Sequence, residues 1–240
     1  MIRFPIRWVL GDVPATRWAE VDAETGEATL LDGMPQPVGW AKSTLSPLAT
    51  RHAVPSCGWM IQQHAMAGKF DRARADELSL NSKQRAMLAR GEDVQEAVGT
   101  VIEAAWFRGG ERSAISVLMS GDTESEPPAW AVDISPTVLI HEATFLNEQQ
   151  AKADEHQHST ATGAAASVRA VGASVLALTH YSNRIKSSSG PLQEAAAEAD
   201  GLPVVALNDN DRMVIDDDGR VTHLVWSKEG WKETSIAPNR

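Results

Sequence analysis

Histidine and carboxylate side chains stand where the apolar runs of this chain end. His141-Glu142-Ala143-Thr144-Phe145 follows the β-branched stretch 137–140, and Ser120-Gly121-Asp122-Thr123 follows the apolar stretch that closes at Met119. His180-Tyr181-Ser182-Asn183-Arg184 follows the buried-looking run 174–179. His52 ends an extended run in Arg51-His52-Ala53-Val54-Pro55-Ser56, and His158 precedes Ser159-Thr160. Imidazole and carboxylate are the usual ligands of hydrolytic zinc. Two such ions bridged by a carboxylate give a nucleophile near neutral pH and clamp both reacting oxygens of a phosphodiester.

Taken singly, each position has a plainer reading. A histidine placed like His52 is more often a satisfied buried side chain, and Gly-Asp-Thr around Asp122 is a common turn. His158 reads equally as a turn residue ahead of the helix cap at Ser159-Thr160. His64 and His223 read as surface side chains. His156-x-His158 mimics a metal dyad but lacks a following Asp-His and falls in a polar loop. Glu142 is harder to set aside. A carboxylate directly after an apolar strand needs a partner.

The elements that must position these residues follow from pattern. Strands are expected at 4–10, 17–21, 28–31, 43–51, 58–62, 98–108, 113–119, 137–140, 174–179 and 203–207, with a hairpin of 213–215 and 221–225. Helices are expected at 71–80, 82–90 (capped by Asn81), 159–171 and 192–199. The C-terminal half alternates strand and helix, which implies α/β layering over a mixed sheet. Asp122, His141 and His180 then stand at C-terminal strand ends, where α/β folds collect their ligands.

A chain of 240 residues with 42% hydrophobic and 22% charged residues suits one soluble globular domain. It has no apolar run of about 18 residues, so no membrane span is expected. The N-terminal residues are basic but lead into no long apolar run, so no secretory signal is expected from them. Cys57 is the single cysteine, so neither an internal disulfide framework nor a multi-cysteine zinc site is available. A cytoplasmic location is the default reading. The net charge of −10 argues against a general nucleic-acid coat. One segment runs the other way. Residues 69–90 hold six bases (Lys69, Arg72, Arg74, Lys83, Arg85, Arg90) against three acids (Asp71, Asp76, Glu77), a pattern that also fits a solvated helical surface.

Together, these runs in this order resemble ribonuclease Z, the tRNA 3′-end processing endonuclease of the metallo-β-lactamase fold. The resemblance covers roughly residues 4–215. It implies an α/β, αββα sandwich that is incomplete at its N-terminus, one partial domain over 1–240, and residues 69–90 as an RNA-contacting insertion. It implies zinc, two ions in the complete site, with His52, Asp122 and His180 as ligands and Asp122 as the bridge. It makes Glu142 the residue that orients His158, and His158 the acid that protonates the leaving oxygen. A carboxylate bonded to an imidazole fixes its tautomer, which suits that task. Arg184, Ser182, Lys83 and Arg85 are the implied substrate contacts, a tRNA precursor the implied partner, and a homodimer the common assembly. Trp59 stands where the family usually has Tyr, and Ile185 replaces the Tyr that usually follows the Arg.

The family's His-x-His-x-Asp-His run, its main source of metal ligands and of the presumed base, does not occur in this sequence. Each metal would keep Asp122 and one histidine, below the three or four ligands of a firm zinc site. The chain alone is therefore expected to hold zinc weakly and to depend on a segment supplied from elsewhere. The other readings are a different phosphodiesterase of the same fold, such as one acting on cyclic nucleotides, and a non-catalytic or split-enzyme half.

Overall fold

Branched apolar runs build the strands of this protein, and polar turns cut them short. The computed structural model describes residues 6–12, 15–95, 99–110, 112, 114–125, 130, 133, 135–234 and 236. Parts of the expected strands at 4–10, 98–108 and 113–119 lie outside the described residues. The chain divides into two compact units, Met1–Gln63 with Ile115–Arg240, and His64–Ala114.

The larger unit begins with an antiparallel meander of β1 (Trp8–Gly11), β2 (Trp18–Val21) and β3 (Ala28–Leu31). The hairpin of β4 (Ser43–Ala49) and β5 (Cys57–Gln63) follows. The chain then forms the smaller unit from α1 (Arg72–Glu77), α2 (Ser82–Ala89), β6 (Val94–Gln95) and β7 (Val101–Ile102). Asn81 and Gln84 make a reciprocal capping box at the start of α2, at 3.0 and 2.9 Å. Ala75, Leu80, Leu88 and Phe107 form this unit's core, with Phe70 stacked on Phe107.

Within the described part of the expected strand at 98–108, strand pairing forms at Val101–Ile102, and Ala104–Phe107 is a 3₁₀ turn instead. The Asp93 carboxylate accepts the Ala104 N–H at 2.8 Å and starts the turn, which drops Phe107 into full burial. Arg85 is committed inside this unit. It bonds Asp76 at 2.5 Å, the Leu80 carbonyl at 2.6 Å and the Ala75 carbonyl at 3.2 Å, tying α1 to α2. Lys83 is exposed.

The remaining elements return to the larger unit: β8 (Ile115–Met119), β9 (Val138–Glu142), α3 (Gln150–His156), α4 (Ala161–Val171), β10 (Val175–Thr179), α5 (Ser189–Glu198), β11 (Val204–Ala206), β12 (Arg212–Ile215), β13 (Val221–Ser227) and β14 (Gly230–Thr234). Six strands form one sheet in the order β11-β10-β9-β8-β5-β4. It is parallel from β8 to β11 and antiparallel at β8–β5–β4. Parallel strands covered on both faces read as continuous apolar runs, as β9 and β10 do. Their residues alternate between two cores. Leu139, Leu176 and Leu178 pack with Ala161, Ala164, Ala165 and Val168 of α4 and with Ala195 of α5. Val138, Val175 and Ala177 pack with Met213, Ile215 and Val221 of the β12-β13-β14 sheet. This is the α/β layering expected from the sequence. Thr160 caps α4 by accepting the Gly163 N–H at 3.0 Å, and Gly172 ends it in the left-handed conformation at φ 66°. Helix α3 was not expected from the pattern.

His141 belongs to this core. It is fully buried in β9, its Nδ1 lies 2.7 Å from the Glu142 carbonyl, and the Trp130 ring meets it edge-on at 5.5 Å. Its Nε2 has no partner among the described residues. Burial is the main cause of a lowered pKa, so the folded ring is neutral. The unfolded chain therefore binds more protons, and the ring's contribution is full above the ordinary value of 6.5 and lost as pH falls below it.

Two outcomes follow from this packing. Leu139→Ala should cost about 2–5 kcal/mol in urea denaturation, whereas Leu30→Ala, at an exposed position, should stay within about 0.5 kcal/mol. The stability difference between wild type and His141→Leu should shift in favour of Leu between about pH 7.5 and about pH 5.5, and a constant difference would contradict a neutral buried ring.

Candidate metal centre

Four loops that leave the strand ends of the six-stranded sheet, and one that leaves α3, meet at one edge. Backbone contacts and the Arg51–Glu124 ion pair, 3.0 Å long, hold the loop after β4 against the loop after β8. The Arg51 N–H donates to Thr123 Oγ1 at 3.1 Å, and the Glu124 N–H donates to the Arg51 carbonyl at 2.9 Å. This places His52 beside Asp122. Gly121 makes the bend possible. Its φ is +62°, and a Cβ there would meet the Cys57 carbonyl at 2.6 Å, so the position requires glycine. His158 follows α3 through Gln157, which is left-handed at φ 53°. His180 leaves β10 in the same unfavourable region, at φ 57°.

The outcome is a cluster. One candidate ligand atom each from His52, Asp122 and His158 lie within 4.8 Å of one another, and so do those of Glu142, His158 and His180. His180 Nε2 is 3.4 Å from Asp122 Oδ1. The His52 and His158 ring centroids are 4.5 Å apart, and those of His158 and His180 are 5.6 Å apart. His52, Asp122, Glu142, His158 and His180 are thus brought together, whereas His141, also singled out at a strand end, lies apart in the core. Asp122 and His180 keep side-chain exposures of 39% and 50%, so the cluster opens to solvent.

Glu142 closes the inner side, with 1% of its surface exposed. Its Oε1 accepts the Thr123 N–H at 2.7 Å, and its Oε2 accepts the Thr144 hydroxyl at 2.5 Å. His158 Nδ1 sits between both oxygens at 2.8 and 2.9 Å. A buried carboxylate without donors would cost several kcal/mol, and these three remove that cost. The bond occupies His158 Nδ1, so Nε2 is the nitrogen that can serve another group. On the other side, His52 Nδ1 is 3.0 Å from the Gln157 carbonyl, an obligate acceptor. His52 therefore carries its proton on Nδ1 and presents the Nε2 lone pair, the arrangement in which an imidazole serves a metal.

Donor types and spacing both suit zinc. The candidate donors are His52, Asp122, His158 through its Nε2, and His180, with His158 common to both groups. They would fill part of a two-ion site and not the whole of one.

Several participants gave no signal as single residues. Thr123 and Thr144 bind Glu142, and Thr144 lay unnoticed inside the quoted run. Gln157 acts through its backbone carbonyl, which no side-chain pattern reveals. Ser182 and Arg184 stand beyond His180. The Ser182 N–H donates to the Thr144 carbonyl at 3.2 Å, Ser182 Oγ accepts the Arg184 N–H at 3.3 Å, and the Arg184 side chain is exposed. A cleft of about 510 Å³ opens here, lined by His180, Ser182, Asn183, Asn208 and Asp209 among others. The surface reading of His223 is corrected. It is buried, with Nε2 2.9 Å from Asp211 and Nδ1 2.9 Å from Thr234, because β13 is the central strand of its sheet. His64 is exposed, and His156 ends α3, outside the cluster.

No family model matches the chain. Relatives named ribonuclease Z do, among them the following three. That of Halobacterium salinarum is 34% identical over 158 residues, 65% of this chain and 51% of the relative. That of Haloferax volcanii is 35% identical over 159 residues, 65% and 50%. That of Parasynechococcus marenigrum is 36% identical over 134 residues, 55% and 42%. Among solved structures, the short form of human tRNase Z aligns with 84% of this chain and 48% of its own, at 19% identity and a TM-score of 0.38. The metallo-β-lactamase fold protein YhfI of Bacillus subtilis aligns with 72% and 49%, at 16% identity and a TM-score of 0.43. The chain spans about half the length of the relatives it matches. Over that half, its sequence is similar to ribonuclease Z.

Proposed function

We propose that this chain carries the proton-donating half of a zinc-dependent ribonuclease Z site, which removes the 3′ trailer from tRNA precursors in the cytoplasm. The observation that carries this reading is the buried Glu142–His158 pair, 2.8 Å long, set against Asp122, His52 and His180. Glu142 holds the proton of His158 Nδ1 and fixes the ring. Nε2 is then placed to donate to the leaving oxygen of the cleaved strand, which becomes the 3′-hydroxyl of the tRNA. His52, Asp122 and His180 would hold zinc, which when bound supplies Lewis acidity toward a phosphodiester. Ser182 in the cleft and the exposed Arg184 and Lys83 would touch the RNA. Arg85 fits this role less well, because its guanidinium is spent on Asp76 and two carbonyls.

The test is cleavage of an end-labelled tRNA precursor in zinc, with the chain alone and with the first half of the Halobacterium salinarum ribonuclease Z supplied in trans. Release of the trailer in the second mixture is expected. Hydrolysis of a cyclic nucleotide with no action on the precursor would overturn the substrate assignment.

With cleavage in hand, His158→Ala should lower turnover by about 10²- to 10⁴-fold with zinc content nearly unchanged. Loss of zinc together with activity would make His158 a ligand instead. The chain alone should lose its zinc on dialysis, and two tightly retained ions per chain would refute the ligand count. Lys83→Glu should weaken precursor binding and reduce the slope of log affinity against log salt by about one, which an effect on chemistry alone would not do.

A further inference from the structure

We propose that Thr144 is a positioning residue whose hydroxyl selects the tautomer of His180 and thereby couples the Glu142–His158 pair to the metal side of the site. The proposal rests on the reading of His180 as a ligand, but its basis is a proton count around one oxygen. Thr144 Oγ1 has four polar neighbours: Glu142 Oε2 at 2.5 Å, His180 Nδ1 at 2.9 Å, the His180 carbonyl at 3.1 Å and His158 Nδ1 at 3.3 Å. A hydroxyl has one proton to give and two lone pairs. The Glu142 carboxylate and the His180 carbonyl can only accept, so the proton serves them, chiefly the carboxylate at the shorter, charge-assisted contact. The His158 Nδ1 proton is directed at Glu142, at 2.8 and 2.9 Å. His180 Nδ1 must then donate to Thr144, because a bare nitrogen would face an oxygen lone pair with no proton between them.

This leaves the His180 lone pair on Nε2, 3.4 Å from Asp122 Oδ1, as two ligands of one cation stand. The left-handed backbone of His180, φ 57°, brings its ring and its own carbonyl to the same hydroxyl. Thr144 itself is 9% exposed, so water cannot easily replace it. Without the hydroxyl, the ring's better choice is a proton on Nε2 given to Asp122, and that proton blocks the metal.

The assignment is tested on the metal-free chain by ¹⁵N correlation spectroscopy of the histidine rings, at mildly alkaline pH where free imidazole is neutral. Wild type should show His180 as the single Nδ1–H tautomer. Thr144→Val should move its two ring nitrogen shifts toward each other as the Nε2–H form is populated, and Thr144→Ser should restore the wild-type pattern. Zinc affinity should fall about 10- to 100-fold in Thr144→Val, the usual effect of a residue that orients a ligand. A wild-type His180 already protonated on Nε2 overturns the proposal whatever the variants do. So does a folded Thr144→Val that keeps the Nδ1–H tautomer. The ring measurement needs neither RNA nor catalysis. A tautomer switch in a chain that never cleaves a precursor supports the role of Thr144 and defeats the functional reading alone.

Discussion

A carboxylate with 1% of its surface exposed is tolerated only if the fold supplies it with hydrogen-bond donors. Glu142 has three, from separate stretches of chain: the Thr123 N–H, the Thr144 hydroxyl and the His158 imidazole. Each donor drags its loop into register. Thr123 brings Asp122, and through Arg51 it also brings His52. Thr144 brings His180, and His158 closes the loop behind α3. The site is thus organised around one buried charge, and the strand that carries it has fully buried apolar residues at Val138 and Leu139 on its two faces. Burial in β9 fixes the carboxylate, and the carboxylate fixes the cluster.

The same network accounts for the strain in the loops. Gln157 and His180 are both left-handed although neither is glycine, a cost of order 1–3 kcal/mol each that folds tolerate chiefly where surrounding contacts demand it. At Gln157 the bend aims a carbonyl at His52 Nδ1. At His180 it aims both the ring and the carbonyl at Thr144. The nitrogen left bare on His52 is the one a cation would use.

Much of this was legible in the sequence, and the reasons are physical. The strands β9 and β10 announce themselves because parallel strands covered on both faces must be apolar without interruption. Residues at their ends are then polar for a reason other than folding, and Glu142 and His180 follow. Asp122 was marked by its place after the apolar run that closes at Met119, whereas its Gly-Asp-Thr alone reads as a common turn. Other features left no mark. Thr144 and Gln157 act through a hydroxyl and a backbone carbonyl, groups too common to stand out. His223 was misread because the pattern showed a two-stranded hairpin, in which it would face solvent. The third strand, β14, turns β13 into a central strand and buries its inward face against Asp211. The turn at Ala104–Phe107 was misread as extended because its apolar content fits either state, and the Asp93 bond that decides between them is made at a distance of eleven residues.

As proposed, His52, Asp122 and His180 form one metal-binding face, and His158, within the same cluster, gives the proton instead of binding the metal. X-ray absorption at the zinc edge, on the chain loaded with one equivalent of zinc, addresses this division directly. The account predicts imidazole and carboxylate oxygen in the first shell, loss of imidazole scattering in His52→Ala and in His180→Ala, and an unchanged shell in His158→Ala. Sulfur ligation from Cys57, or a shell altered by His158→Ala and indifferent to the other two, would contradict it.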